Sequence, residues 1–422
     1  METNFEKHVT ERAILVGLNA DCFTQAQTAT DETLEELEAL LETAGGFCTA
    51  KVLQNRHTPD SHSFIGEGKA QEVKMLVEVT ESTMVVFDNE LSPGNIRALE
   101  EIIGVTVLDR SALILDIFAQ RAKTKEGKLQ VELAQYKYLL PRLSGMGKSL
   151  SRQGGGIGTR GPGETKLESD RRHIRERISR LQEELKQVRQ VRSVQRQRRQ
   201  KNSVPVVAIV GYTNAGKSTL LNQLTDAGIP ANNRLFDTLD TTSRQLSVSD
   251  NLEVILSDTV GFIAKLPHHL VDAFRATLEE LEYADLLLHV IDASDPEKQA
   301  HIEVVEKLIA KLAKPGTPVI SCYNKADLVP AEEIPVGQDV VKISAKLGMG
   351  MDRLLKAIED ALGHSLHHIT VVLPYSMGAM LDTLHTSAQV KNVEYTQDGI
   401  EVETVVDPVL YGKLSAYIRK EH

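Results

Sequence analysis

The sequence predicts an α/β protein with a central α/β domain. A small α/β domain carrying a long antiparallel helical hairpin precedes it, and a small α+β domain follows it. Three observations predict this fold class. Strand-like and helical segments alternate over residues 1 to about 110. Two segments with apolar residues at helical spacing come next. A glycine-rich loop then lies between an apolar strand and a helix.

The glycine-rich loop follows the apolar run 204–210 and fits the pattern G-x-x-x-x-G-K-S. It consists of Gly211, Tyr212, Thr213, Asn214, Ala215, Gly216, Lys217 and Ser218. Its backbone N–H groups and the following helix N-terminus would face a polyphosphate. Lys217 would reach the β- and γ-phosphates, and the Ser218 hydroxyl would bind Mg²⁺. A glycine-rich turn without a ligand is the alternative, but the flanking strand and helix favour a nucleoside triphosphate site.

The next predicted strand, 252–257, ends at a D-x-x-G pattern formed by Asp258, Thr259, Val260 and Gly261. Asp258 can hold Mg²⁺ through a water molecule, and the Gly261 N–H can contact a γ-phosphate. The pattern is weak by itself. At this distance after a phosphate loop, it indicates a second part of the nucleotide site.

A third segment, at the end of the predicted strand 318–323, contains Asn324, Lys325 and Asp327. A carboxylate can accept hydrogen bonds from guanine N1–H and the exocyclic amine, and adenine offers neither donor at that edge. A helix-capping aspartate beside a lysine is the alternative. Ser344, Ala345 and Lys346 follow the strand-like run 340–343 and would close over the base oxygen. The predicted ligands are therefore GTP and GDP.

A first switch segment is expected between the phosphate loop and Asp258. It includes Phe236, Asp237, Thr238, Leu239, Asp240, Thr241 and Thr242. One threonine should bind Mg²⁺ and contact the γ-phosphate, so that hydrolysis releases the segment. We favour Thr238 for this role, with Thr242 as the second candidate. A polar loop tip without such a role is the alternative.

The residue after Gly261 is Phe262, where many related switches have a glutamine that orients the attacking water. A phenylalanine side chain cannot hydrogen-bond water. Intrinsic hydrolysis of GTP to GDP and phosphate is therefore expected to be slow, or to depend on a group from a partner or from the moving loops. The catalytic residue is left unassigned.

The composition indicates a soluble, cytoplasmic protein. The chain has 422 residues, a net charge of −11 and three cysteines without paired or metal-like spacing. Its N-terminus lacks the basic and apolar regions of a signal peptide, and no apolar run is long enough for a transmembrane span. We expect a monomer divided into domains at 1–115, 116–202, 203–364 and 365–422.

The predicted helical hairpin, 116–202, concentrates positive charge. Residues 142–201 hold 17 Lys and Arg against 6 Asp and Glu, a net +11 that leaves −22 for the remainder. Solvated charge on a coiled coil is the usual explanation for such a face. A glycine-rich segment, 144–164, is predicted at the tip and would be a flexible linker or an RNA-binding loop. The dominance of arginine favours contact with RNA.

Together, these segments resemble the HflX family of translation-associated GTPases over nearly the whole length. The distinctive stretches are 116–122, 130–135, 140–143 and 161–164, with the switch residues 236–240 and 258–263. One departure is Thr241, where the family commonly has proline. This difference leaves the assignment of Thr238 to Mg²⁺ unchanged.

The resemblance implies an Mg²⁺-dependent P-loop GTPase that binds the 50S subunit and its 23S rRNA. It also implies dissociation of stalled or idle 70S ribosomes, especially under stress, with the hairpin tip directed toward the peptidyl-transferase region. A GTP-sensing RNA-binding scaffold with little turnover is the alternative function, and Phe262 is the best argument for it.

Overall fold

The computed structural model describes residues 11–24, 27–143, 162–201, 204–225, 235–236, 242–249, 252–265, 280–363, 367–397, 399–406 and 408–419. The chain forms two compact units. The first unit comprises Met1–Leu185, Asn232–Asp240 and Ile263–Arg275, and the second comprises Lys186–Ala231, Thr241–Phe262 and Ala276–His422. The four-domain division remains a prediction.

The first unit contains a four-stranded parallel sheet in the order β2-β1-β3-β4. Its strands are β1 (Arg12–Ala20), β2 (Phe47–Arg56), β3 (Met84–Phe87) and β4 (Thr106–Asp109). Helices α1 (Asp31–Ala44), α2 (Glu67–Thr80) and α3 (Pro93–Ile103) connect them. The sequence predicts only the first three strands, because β4 has four residues and too few alternations to show a period.

Side chains at the helix starts set the boundaries of these connections. Thr30 caps α1 in a reciprocal capping box with Thr33, and Ser92 caps α3 ahead of Pro93. The Asp109 carboxylate accepts from the Ala112 N–H at 2.9 Å and caps the next helix. The parallel register of β3 and β4 pairs Phe87 with Asp109 at the carboxyl edge of the sheet.

The helical hairpin follows α4 (Arg110–Arg121) and consists of α5 (Lys125–Arg142) and α6 (Pro162–Lys201). Leu129 and Leu133 on α5 are buried, as are Leu181 and Leu185 on α6, so the predicted stripes provide the packing faces. An ion pair between Arg177 and Glu132 also joins the two helices. Most of the predicted glycine-rich tip, residues 144–161, lies outside the described residues.

The second unit contains a six-stranded sheet in the order β10-β9-β8-β5-β7-β6. Its strands are β5 (Val206–Gly211), β6 (Thr242–Ser249), β7 (Leu252–Asp258), β8 (Leu286–Asp292), β9 (Val319–Asn324) and β10 (Val340–Lys342). Only β6 is antiparallel to its neighbour among these strands. Helices α7 (Lys217–Thr225), α8 (Lys298–Leu312) and α9 (Met351–Gly363) complete the described part. The predicted fold class is confirmed.

A three-stranded antiparallel sheet ends the second unit, in the order β11-β13-β12. Its strands are β11 (His367–Leu373), β12 (Gln389–Thr396) and β13 (Gly399–Val406), and its helices are α10 (Gly378–Ser387) and α11 (Pro408–Leu414). Val371, Leu373 and Val402 belong to its core. Across the described residues, no helix is long and apolar enough to cross a membrane.

Candidate nucleotide-binding site

The predicted phosphate loop begins at the carboxyl end of β5, a central strand between β7 and β8. Gly211 and Gly216 have φ angles of 156° and 93°. A Cβ atom at Gly211 would lie 2.3 Å from the Val290 carbonyl oxygen. One at Gly216 would lie 2.2 Å from Asn324 Nδ2. Both positions therefore require glycine, because backbone shape and close approach each exclude a side chain.

Asn324 joins three of the predicted segments. Its Nδ2 donates to the Ala215 carbonyl at 2.8 Å, and its Oδ1 accepts from the Ala345 N–H at 2.9 Å. The side chain is buried, with the residue 3% exposed. A single amide therefore connects the phosphate loop to the two segments predicted to recognise guanine.

Lys217 opens helix α7 and is buried at 6% exposure. Its Nζ donates to the Tyr212 carbonyl at 2.7 Å. Burial lowers the pKa of Lys217 from 10.5 to about 8, and the nearby Asp258 carboxylate offsets part of this effect. A polyphosphate would supply the negative charge that this buried amine favours.

Ser218 and Asp258 lie together beside Lys217. The Ser218 hydroxyl donates to Asp258 Oδ2 at 2.9 Å, and Asp258 is fully buried. Thr259 anchors the turn after β7, because its hydroxyl donates to the Ile209 carbonyl at 2.7 Å. A hydroxyl and a carboxylate form a hard oxygen donor set that fits Mg²⁺. In the part of the chain described, no cluster of three or more His, Cys, Asp or Glu side chains could hold a metal ion.

Gly261 and Phe262 lie against the phosphate loop. The Phe262 carbonyl accepts from the Thr213 N–H at 2.7 Å, and the Phe262 N–H donates to the Gly211 carbonyl at 3.1 Å. A Cβ at Gly261 would lie 2.9 Å from Thr213 Cγ2 and 3.0 Å from Lys217 Nζ. The structure thus places Gly261 next to the amine predicted to bind the γ-phosphate. The Phe262 side chain is buried, with 2% exposed.

The guanine-recognition segment forms a tight turn after β9. Lys325 has a φ of 57°, and its Nζ pairs with Asp292 at 2.5 Å. Asp327 follows in a short 3₁₀ turn and is exposed. Sequence reasoning missed Asp292, although a carboxylate at the end of β8 is a recognisable signal. The pair fixes the lysine and leaves Asp327 accessible to a ligand.

The segment 344–346 is held by a bridge between Ser344 and Met349. The Ser344 carbonyl accepts from the Met349 N–H at 3.1 Å, and the Ser344 N–H donates to the Met349 carbonyl at 3.0 Å. Ala345 is buried and bound to Asn324, whereas Lys346 is exposed. The phosphate loop, Asn324 and this turn therefore come together in the second unit.

The first switch is described only in part. Asp237, Thr238, Leu239, Asp240 and Thr241 lie outside the described residues, so the role of Thr238 stays a prediction. The second candidate, Thr242, begins β6 and is in register with Asp258. Phe236 is buried in the first unit, where its ring meets the Phe118 ring edge-on at 4.7 Å between centroids.

Sequence reasoning also missed three residues behind the loop. His289 on β8 is 3% exposed, and burial, with a smaller effect of Lys217, lowers its pKa to about 4. The Tyr212 ring stacks on the His301 ring at 3.6 Å between centroids. His301 in turn pairs with Asp295 at 2.9 Å. No spacing pattern in the sequence connects these positions.

Profiles of three protein families match the chain. "GTP-binding GTPase N-terminal" matches residues 31–119, and "GTP-binding GTPase Middle Region" matches 121–199. "50S ribosome-binding GTPase" matches residues 206–325, which include the phosphate loop, Asp258 and Asn324.

Two full-length relatives carry the name GTPase HflX. The protein from Caldanaerobacter subterraneus subsp. tengcongensis is 49% identical over 97% of this chain and 94% of its own length. The protein from Escherichia coli strain K12 is 43% identical, covering 92% of each chain. Among solved structures, a complex of SsGBP and GDP is 27% identical and covers 84% of this chain and 99% of its own, with a TM-score of 0.49.

Proposed function

Since the chain belongs to the HflX family of P-loop GTPases, we propose that it binds the large ribosomal subunit through the basic hairpin and dissociates stalled or idle 70S ribosomes. The protein binds guanine nucleotides and hydrolyses GTP. The observation that carries the ribosomal proposal is the match to the 50S ribosome-binding GTPase family over residues 206–325. In this proposal the contact includes 23S rRNA, and stress increases the demand for the activity.

The chemistry begins with the triphosphate. The loop backbone and the protonated Lys217 amine hold the β- and γ-phosphates, and the Gly261 N–H contacts the γ-phosphate. Ser218 and Thr238 would bind Mg²⁺ directly and Asp258 through water. The metal would neutralise charge on the phosphate oxygens. Asn324 keeps the loop and the base-binding turn in register through its two hydrogen bonds.

Guanine is selected by Asp327, whose exposed carboxylate accepts from N1–H and the exocyclic amine. The backbone near Ala345 contacts the base oxygen, and Lys325 is held in place by Asp292. Adenine would leave the carboxylate without these donors and be rejected.

Hydrolysis of GTP needs a polar group that orients the attacking water, and the residue after Gly261 does not supply one. Phe262 is buried and its side chain has no polar atom, so it cannot orient a water molecule. We expect slow turnover in the free protein and faster turnover on the ribosome, where rRNA or a moving loop completes the site.

The basic hairpin supports the proposed contact with rRNA. Arg172, Arg175 and Arg180 on α6 are all exposed. Arginine recognises phosphate through paired N–H donors, which suits an RNA backbone. GTP would order the switches and favour the ribosome-bound conformation, and hydrolysis would permit release.

The test is the sedimentation profile of 70S ribosomes incubated with the protein and GTP, together with phosphate release with and without 50S subunits. Conversion of 70S particles to free subunits, with faster phosphate release, is the expected result. If 50S subunits leave the rate unchanged and 70S particles stay intact, the proposal is wrong. Stable, GTP-dependent 50S binding without turnover would instead support the alternative function, a GTP-sensing RNA-binding scaffold.

The contribution of the hairpin can be measured with the double variant Arg172→Glu and Arg175→Glu. Its affinity for 50S subunits should fall, and the slope of log affinity against log salt should drop by about 2, or one unit for each phosphate group that the variant no longer binds. The matched control reverses the exposed Lys307 and Lys311 on α8 and changes net charge equally. GTP affinity should be the same in all three proteins.

A further inference from the structure

The loop between β8 and α8 carries no nucleotide-binding motif, but it is bound to the guanine-recognition segment. The Ala293 N–H donates to the Asn324 carbonyl at 2.9 Å. Asp292, which ends β8, pairs with Lys325 through one carboxylate oxygen and accepts from the Ser294 hydroxyl at 2.6 Å through the other. The loop is therefore fixed relative to the predicted guanine site.

The same loop fixes the imidazole ring of His301, on the first turn of α8. Asp295 Oδ1 accepts from the Glu297 N–H at 2.9 Å, and Asp295 Oδ2 pairs with His301 Nδ1 at 2.9 Å. The hydrogen bond from His301 lowers the pKa of Asp295, and burial opposes this effect. The His301 N–H also donates to the Glu297 carbonyl at 3.1 Å. His301 is therefore held at its backbone and at one ring nitrogen.

The His301 ring stacks on Tyr212, the second residue of the phosphate loop. The two ring centroids lie 3.6 Å apart, with 13° between the ring planes. Tyr212 is 8% exposed, and the His301 side chain is 26% exposed. A small cavity lined by Tyr212, His289 and His301 adjoins the stack, so the other neighbours leave the tyrosine ring room to move. The stack with His301 therefore sets the position of this ring.

Tyr212 is also the residue to which the Lys217 amine is bound. The Tyr212 carbonyl accepts from Lys217 Nζ at 2.7 Å and from the Ala215 N–H at 3.3 Å. A lysine ammonium has three N–H donors. The Tyr212 carbonyl uses one of them, and the other two can point at phosphate oxygens. The position of this carbonyl therefore sets the direction from which Lys217 meets the β- and γ-phosphates.

Two side chains thus anchor the phosphate loop at different points. Asn324 binds the Ala215 carbonyl, and His301 stacks on the Tyr212 ring. Between these anchors, Asn214 has a φ of 61°, a conformation that most side chains seldom adopt. The Asn324 anchor also binds the base-recognition turn, whereas the His301 ring meets the loop at the residue that holds Lys217. Loss of the two anchors should therefore affect nucleotide binding in different ways.

We propose that His301 is a positioning residue of the GTPase, which holds the Tyr212 ring and so directs the Lys217 amine at the β- and γ-phosphates. A group that is already held in place binds more tightly, because less freedom is lost when the ligand arrives. A stacked aromatic pair shifts an equilibrium by roughly two- to tenfold beyond the burial of its area. The effect of His301 is therefore small for GMP, which lacks both of these phosphates, and larger for GDP and GTP.

The positioning role rests on the proposed contact of Lys217 with the phosphates, and it is independent of the ribosomal proposal. Lys217→Ala tests that premise separately, because it should abolish the binding of GDP and of GTP. If Lys217→Ala retains GDP affinity, the assignment of the phosphate site is wrong. If Lys217→Ala abolishes GDP binding and the loss of His301 has no effect, only the positioning role is wrong.

The test variant is His301→Ala, which removes the ring and leaves the sequence of the phosphate loop unchanged. Titration calorimetry should show that the affinities for GDP and for a non-hydrolysable GTP analogue fall by at least about threefold. The affinity for GMP, measured by NMR titration at millimolar concentrations, should stay within about twofold of that of the unmodified protein. An equal loss for all three nucleotides, or no loss for GDP, would overturn the proposal.

Two further variants separate the ring of His301 from its hydrogen bond. His301→Phe keeps a flat ring against Tyr212 but cannot bond to Asp295, and it should recover most of the lost GDP affinity. His301→Gln can donate to Asp295 but has no ring, and it should behave like His301→Ala. Recovery by glutamine and not by phenylalanine would contradict the stack as the anchor of the loop.

A thermodynamic cycle tests whether the two rings act together. Tyr212→Leu should lower GDP affinity by a factor similar to that of His301→Ala, and the double variant should lose little more than either single variant. The matched control is His57→Ala, which removes a histidine paired with Asp21 in the first unit and should leave every nucleotide affinity unchanged. Additive losses in the double variant would show that the two residues act independently, and the proposal would be wrong.

Discussion

The Asn324 side chain donates a 2.8 Å hydrogen bond to the Ala215 carbonyl, which fixes the phosphate loop to the end of β9. The two residues are 109 positions apart in the chain. Because the Asn324 side-chain oxygen also accepts from Ala345, both parts of the amide are used inside the protein. This residue is therefore expected to shape the site without touching the nucleotide.

Asn324→Ala should weaken GDP and GTP binding equally. The change leaves the Ala345 N–H without its acceptor and frees the phosphate loop. Loss of a buried partner costs about 1–3 kcal/mol, or roughly 5- to 150-fold in affinity if the nucleotide-bound form bears the whole cost. Calorimetric titration with each nucleotide measures the loss. Asn392→Ala, at an exposed position on β12, is the matched control. A loss confined to GTP would contradict this positioning role.

Ser218→Ala should weaken the binding of Mg²⁺ in the GTP complex. The hydroxyl lies 2.9 Å from Asp258 Oδ2, and its removal takes away one predicted metal ligand. We expect the apparent Mg²⁺ affinity of the GTP complex to fall by at least about tenfold, which is the loss that substitutions around bound metal ions commonly cause. A Mg²⁺ titration of GTPase rate and of GTP affinity tests this expectation. Ser415→Ala, in the C-terminal part, is the control. An unchanged Mg²⁺ midpoint would remove Ser218 from the metal site.

Asp327→Asn should exchange guanine preference for xanthine preference. The amide can donate to the xanthine oxygen that replaces the exocyclic amine, whereas the carboxylate can only accept. The ratio of GDP affinity to XDP affinity should change by at least about a hundredfold, because a site that hydrogen-bonds its ligand discriminates strongly against a ligand that lacks the matching groups. Competition binding measures this ratio. Asp339→Asn changes an exposed aspartate directly before β10 and should have no effect. Retained GDP preference in Asp327→Asn would exclude the assigned contact.

The central site could be predicted from sequence because most of its signals are local. Gly211 to Ser218 form one continuous loop, and strand, loop and helix follow each other directly. Such a loop needs glycine where φ is positive, and a lysine and a hydroxyl at fixed distances from it. Alternating strands and helices favour a parallel sheet, from which the antiparallel edge strand β6 departs.

The remaining contacts could not be predicted because they join distant residues without a pattern. Lys265 and Asp88 are 177 positions apart, and neither belongs to a recognisable motif. Strand β6 carries exposed polar residues such as Arg244 and Gln245, so its weak alternation gave no strand signal. The Asp292 partner of Lys325 is also non-local, although it lies at a strand end where functional carboxylates are common.

The affinity for GDP should decrease as pH rises above about 8, because the free protein holds Lys217 with a pKa of about 8. A bound polyphosphate restores the proton, so the bound-state pKa is higher than the free-state pKa. The affinity for GDP is therefore highest at pH values below the free-state pKa of Lys217. It falls as pH rises above that pKa, by at most about tenfold per pH unit. At pH 8.5 binding should take up roughly three-quarters of a proton, because that fraction of Lys217 is deprotonated in the free protein.

Calorimetry at pH 8.5 in two buffers of different ionisation enthalpy measures this uptake directly. The control is Lys217→Arg, whose guanidinium stays protonated across this range, so proton uptake should vanish even if affinity falls. Equal uptake in both proteins would assign the proton to another group. No uptake in the unmodified protein would show that Lys217 is already protonated before the nucleotide binds. Its amine would then be hydrated in the free protein.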